Sequence, residues 1–170
     1  MSPEEQLAAD PVNFARQIVL RRLTDQPRSR ADLEQTLAKK NVPADVAGVV
    51  LDRMEVAGLV NDAEFADDWV RSRQRSKGLS TRLLAMELRR KGIDDDVARE
   101  ALEQVDHDAE TQAAHRLVQR KLRSMHGLDL DRQTQIRRLA GMLTRKGYPP
   151  DIAFAVVREE LDADQPPDDL

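Results

Sequence analysis

Three eleven-residue stretches, LAKKNVPADVA from Leu37, LRRKGIDDDVA from Leu88 and LTRKGYPPDIA from Leu143, align without a gap. Each reads as the end of one helix and the start of the next. Leu33, Leu84 and Leu139 stand four residues before Leu37, Leu88 and Leu143, which puts both leucines of each copy on one helix face. Asn41, Gly92 and Gly147 then take the position where a left-handed backbone stops a helix, and Val42, Ile93 and Tyr148 supply the apolar residue that closes the stop against the last turn. Asp45, Asp96 and Asp151 follow in the first turn of the next helix, where a carboxylate meets the positive end of the dipole. Offsets of 51 and 55 residues between copies leave room for three helices in each. The expected fold is therefore all-α, an elongated, curved array of three tandem three-helix modules. A module of about fifty residues buries little apolar surface alone, so neighbours must share an interface.

Turn residues divide the chain into nine predicted helices, at about 12–26, 30–40, 44–57, 62–77, 81–91, 95–105, 108–126, 132–146 and 150–162. Modules then span 12–60, 61–106 and 107–162, between an acidic N-terminal tail at 1–11 and an acidic C-terminal tail at 163–170. Strict alternation of apolar and polar residues is absent, and pairs such as Val49 and Val50 sit inside helical spacing, so no strand is predicted. Five aromatic residues (Phe14, Phe65, Trp69, Tyr148, Phe154) are too few for one large core. The chain has no cysteine, which excludes disulfides and thiolate metal sites and leaves the redox compartment open. Its first residues hold neither a basic segment nor an apolar run, and nowhere do eighteen apolar residues follow one another. The expectation is a cytoplasmic protein with no membrane attachment.

Signals for catalysis are poor. The glycines are singletons, so no phosphate-binding loop is formed, and His107, His115 and His126 lack the spacing of a metal-binding helix. The run Asp94, Asp95, Asp96 is explained by helix initiation. No catalytic residue, cofactor or metal is expected, and the chain is not read as an enzyme.

Charge is informative where chemistry is not. The net charge is −4, yet between Arg71 and Lys91 eight bases (Arg71, Arg73, Arg75, Lys77, Arg82, Arg89, Arg90, Lys91) face Glu87 alone. Arg82 and Arg89 fall nearly opposite the leucine face of their helix, and Arg137 repeats the position of Arg82, with Arg138 beside it and Arg145 at the place of Arg90. Arg116, Arg120 and Arg123, spaced i, i+4, i+7, form a stripe away from Ala114, Val118, Leu122 and Met125. Charged stripes are commonly solvated faces. Here few carboxylates stand one turn before these arginines, and the excess recurs in two modules, which points to a polyanionic partner surface. The first module is the least basic, with Lys39 and Lys40 but Ala31 where Arg82 and Arg137 stand.

The most specific segment is NDAEFADDWVRSRQRSKG from Asn61. Asn61 and Glu64 fit a capping box, and Phe65, Ala66, Trp69 and Val70 form an apolar face with Arg73 at its edge. Together with LLAMELRRKGI downstream, this segment resembles the signature of the RecX regulatory proteins, through Asp62, Phe65, Ala66, Trp69, Arg73, Gly78, Glu87, Leu88, Lys91, Gly92 and Ile93. Asn61 where an Asp is common, and Asn41 in place of Gly at the first corner, are departures that both suit capping. The resemblance extends from about Phe14 to Leu161. It implies a bacterial protein of tandem three-helix repeats that binds the RecA recombinase, particularly its nucleoprotein filament, and inhibits ATP hydrolysis, strand exchange and coprotease activity; a monomer is expected. A helix-turn-helix-like module that contacts DNA directly is the alternative expectation.

Overall fold

The computed structural model describes residues 1–165, and every regular element among them is a helix. The order is α1 (Pro3–Ala9), α2 (Pro11–Asp25), α3 (Arg30–Lys39), α4 (Ala44–Val56), α5 (Asp62–Lys77), α6 (Thr81–Arg90), α7 (Asp95–Leu102), α8 (His107–Met125), α9 (Arg132–Arg145) and α10 (Pro150–Asp164). Nine of these are the helices marked by the turn residues.

The tenth, α1, corrects the reading of residues 1–11 as a tail. The Ser2 hydroxyl accepts from the Glu5 N–H at 3.2 Å, and the Glu5 carboxylate accepts from the Ser2 N–H at 2.7 Å. Pro3 occupies the first turn, and Leu7 packs against the apolar cluster of the following helices. The acidic residues that suggested a solvated tail sit at a helix N-terminus, where the dipole favours them. At the other end α10 takes in residues 163 and 164 of the expected C-terminal tail, and 166–170 lie outside the described residues.

The corners fold as the repeat requires. Asn41, Gly92 and Gly147 have φ of 61°, 73° and 93°. The N–H groups of Val42, Ile93 and Tyr148 each donate back to the carbonyl of Leu37, Leu88 and Leu143, at 3.1, 3.1 and 3.0 Å. These three apolar residues are buried, and none of the six repeat leucines is more than 1% exposed.

Contacts divide the chain into two units, Met1–Trp69 with Glu87–Ala101, and Val70–Met86 with Leu102–Leu170. The trios α2–α4 and α8–α10 each own an apolar cluster, built on Leu33, Leu37 and Leu51 in the first unit and on Leu139, Leu143 and Val157 in the second. Both α5 and α6 give one end to each unit, so the middle trio is divided.

Within each unit the same joint recurs. In the first, the buried Ser29 caps α3 and its hydroxyl donates to the Lys91 carbonyl at 2.7 Å, while the Arg30 N–H donates to the Asp62 carboxylate at 2.8 Å. In the second, the buried Ser80 caps α6, its N–H donates to the Lys146 carbonyl at 3.0 Å, and the Thr81 N–H donates to the Glu110 carboxylate at 3.1 Å. The corner glycines complete both joints. A Cβ on Gly92 would fall 2.3 Å from that of Ala31, and one on Gly147 would fall 2.3 Å from the Ser80 hydroxyl. Each joint thus gives the first N–H of one helix to a carboxylate in the first turn of another, and the carbonyl at the end of a third to the capping serine.

Candidate polyanion surface and the motif residues

Phe65 and Trp69 lie one turn apart on α5 and stack, with centroids 5.8 Å apart and an interplanar angle of 21°. Glu87 and Lys91 lie one turn apart on α6. The Trp69 indole N–H donates to Glu87 at 2.9 Å, and the Lys91 ammonium stands 5.1 Å from the Trp69 ring centroid. This cluster fastens α5 to α6 within the first unit. Ala66, Leu88 and Ile93 are buried, and Asp62 and Gly92 belong to the first joint. Most of the motif is thereby occupied with architecture, and Lys91, expected on a partner surface, has its ammonium on an indole.

Among the other predicted residues, Arg89 pairs with Asp95 at 3.3 Å on the first unit's surface, and Arg90 is exposed there. Arg71 and Arg82 are exposed on the second unit, and Arg73 is half-buried at the edge of its helix's apolar face.

The second unit gathers the rest, Arg123 excepted, into two clefts along α8. One, of about 200 Å³, is bounded by Arg75 and Lys77 from the last turn of α5 and by Arg116 and Arg120 from α8. Gly78 makes this possible, since a Cβ there would lie 3.0 Å from Leu117 on α8. The Tyr148 hydroxyl fixes the same point by donating to the Gly78 carbonyl at 2.7 Å. Burial, with Glu110 nearby, raises the Tyr148 pKa far above the usual phenol value, so the hydroxyl keeps its proton. The other cleft, of about 320 Å³, is lined by Lys121, Arg137, Arg138 and Arg145. None of these eight cations is in an ion pair among the described residues.

The predicted Arg116, Arg120 and Arg123 stripe is real as an exposed face, opposite the buried Ala114, Val118, Leu122 and Met125, but its members part company. Arg123 faces a third cleft shared with Glu160 and Asp164 of α10, an acidic setting. His115, expected at a solvent-facing position, is half-buried between α8 and α10, with Nδ1 2.7 Å from Glu160. Sequence reading did not find Ser29, Ser80, Glu110 or Lys121. The serines were signalled, since they repeat at the same 51-residue offset as the first two corners. No grouping of three or more His, Asp or Glu able to hold a metal occurs among the described residues, and none of the described helices is long and apolar enough to cross a membrane.

The first, second and third three-helix domains of RecX match residues 15–54, 61–102 and 108–157. A "Regulatory protein RecX" of Streptomyces coelicolor is 48% identical over 153 residues, covering 90% of this chain and 80% of that one. That of Amycolatopsis mediterranei is 42% identical over 161 residues, covering 95% and 91%. Among solved structures, RecX from Lactobacillus salivarius superposes with a TM-score of 0.77 at 23% identity, over 91% of this chain and 99% of that one, a likeness of fold. With three family domains in order and relatives of this similarity along most of its length, the chain belongs to the RecX family of regulatory proteins.

Proposed function

We propose that this protein regulates the RecA recombinase in the cytoplasm by binding it, above all as its filament on DNA, and that binding inhibits ATP hydrolysis, strand exchange and coprotease activity. Homologous recombination, DNA repair and the SOS response are modulated in consequence. The observation that carries this reading is the succession of three RecX domains, with relatives named as regulatory proteins. The protein acts as a monomer and through contact, without catalysis. Successive modules meet successive protomers, so individually weak contacts add through linkage. Titrating RecA's DNA-dependent ATPase with the purified protein tests the reading. A dose-dependent fall in rate is expected, and a rate unchanged at saturating protein rejects it.

The two cationic clefts support a second reading, direct contact with a nucleic-acid backbone. Such binding weakens steeply with salt. A gel shift on bare DNA across a salt series, without RecA, separates the readings. Shift without ATPase inhibition favours the second, and inhibition without shift favours the first.

A further inference from the structure

We propose that the cleft between the last turn of α5 and the middle of α8 is a binding site for a phosphate monoester, carried by a nucleic-acid strand end or a free nucleotide. The proposal deepens the reading of the second unit as a polyanion surface and rests on it.

Four cations, Arg75, Lys77, Arg116 and Arg120, converge on a space of about 200 Å³, and no carboxylate lines it. These four hold no ion pair among the described residues, unlike Arg28, Arg30, Arg89, Arg99 and Arg132, so nothing among those residues offsets their shared charge. Holding four like charges together is relieved most by a ligand that concentrates negative charge. A phosphate monoester carries about −1.5 to −2 near neutral pH, a backbone diester only about −1. The guanidinium groups at 116 and 120, one helical turn apart, suit oxyanion recognition by paired N–H groups.

A second observation is independent of charge. The side-chain amide nitrogen of Gln74, which lines the same cleft, is buried and has no hydrogen-bond partner among the described residues. A buried amide donor without an acceptor is unfavourable, and an oxyanion held in the cleft that Gln74 lines would offer it one. No aromatic side chain lines the cleft, so there is no platform on which a base could stack, and recognition falls on the phosphate. The wider cleft of Lys121, Arg137, Arg138 and Arg145 has no such orphan donor and is left to the strand backbone.

The test compares a 5′-phosphorylated oligothymidylate with the same strand ending in 5′-hydroxyl, and adds thymidine 5′-monophosphate as free nucleotide, each titrated into the full-length protein by fluorescence anisotropy or amide chemical shifts. The phosphorylated strand is expected to bind at least about tenfold more tightly. Arg116→Gln with Arg120→Gln abolishes that preference, whereas Arg138→Gln with Arg145→Gln weakens both strands and preserves it. All four positions are exposed, and unchanged helical circular dichroism checks that the variants fold. Perturbation of Gly78 and α8 amides by the mononucleotide at comparable concentration assigns the site to free nucleotides, and its absence beside a strand preference assigns it to strand ends. Equal affinity for the two strands, with no response to the mononucleotide, overturns the proposal. If both strands still bind, the polyanion reading survives; if neither does, both fall.

Discussion

Asp62 serves two ends of the structure at once. It opens α5, and its carboxylate accepts the Arg30 N–H at the start of α3. Half-burial raises its pKa above the ordinary 3.8, and the hydrogen bond from Arg30 opposes that rise. The sign of the pH effect follows. The folded state binds a proton more readily than the unfolded one, so this residue's contribution to stability falls as pH rises from 3.8 through the raised value, and stays low above it. Asp62→Asn keeps the acceptor and removes the buried charge. Its unfolding free energy relative to wild type should therefore increase as pH rises from about 3.8 through the raised value and then level off, which urea titrations at several pH values would measure. Asp62→Ala leaves the Arg30 N–H unpaired and should cost about 1 kcal/mol at neutral pH. A flat difference between the Asn variant and wild type across that range would show that the carboxyl is not desolvated. The importance of Asp62 was legible through the family resemblance, but its role was not, because the partner lies 32 residues away and meets it through a backbone N–H that any residue type would provide. The same limit hid Glu110, which reaches Thr81 from 29 residues off.

At the scale of elements, the helices were legible because turn chemistry is local: Asn41, Gly92 and Gly147 stop their helices within five residues of hydrogen bonding. The difference among the three stops was not. Asn41 in the first corner looked like a tolerant substitute, yet Gly92 and Gly147 answer a second demand, since each abuts the start of another helix and Asn41 stands exposed. Substitutions separate the two demands. Gly58 has φ of 76° with open space around it, so Gly58→Ala should cost only the left-handed backbone, about 1 to 2 kcal/mol. Gly92→Ala adds a contact at 2.3 Å with Ala31 and should cost about 1 to 3 kcal/mol more. Gly147→Ala, 2.3 Å from the Ser80 hydroxyl and 2.7 Å from the Leu83 Cβ, should be worse still, and Asn41→Gly should be nearly neutral. Equal losses at Gly58 and Gly92 in chemical denaturation would mean that the first joint yields without cost. The missed helix α1 has a related lesson. The Ser2 and Glu5 spacing is a capping-box signal, and it carries more weight than the acidic charge of residues 1–11.

For the molecule as a whole, the three-module repeat suggests cutting at a module border, and the joints say what such a cut would do. The cationic clefts were half legible for the same reason: periodicity placed Arg116 and Arg120 on one face, but only the fold brings Arg75 and Lys77 to them. Deleting residues 107–170 removes the Lys146 carbonyl that accepts the Ser80 N–H, the Glu110 carboxylate that accepts the Thr81 N–H, and the Tyr148 hydroxyl that holds the Gly78 carbonyl. It also takes away the unit to which Val70–Met86 belong. The truncated chain should keep the cluster around Leu33, Leu37 and Leu51, while α5 and α6 fray at the ends facing the cut. Amide hydrogen exchange would read this directly. Protection in α3 and α4 should persist, and protection across 70–86 should fall by about a hundredfold or more relative to the full chain. If those amides stay protected, the middle module stands alone and the second joint contributes little. If they lose protection, failure of such a truncation to inhibit RecA would not locate the contact in the third module, because the second would have been loosened by the same cut. Charge changes at Arg116, Arg120, Arg138 and Arg145, which leave both joints whole, are the variants that can locate it.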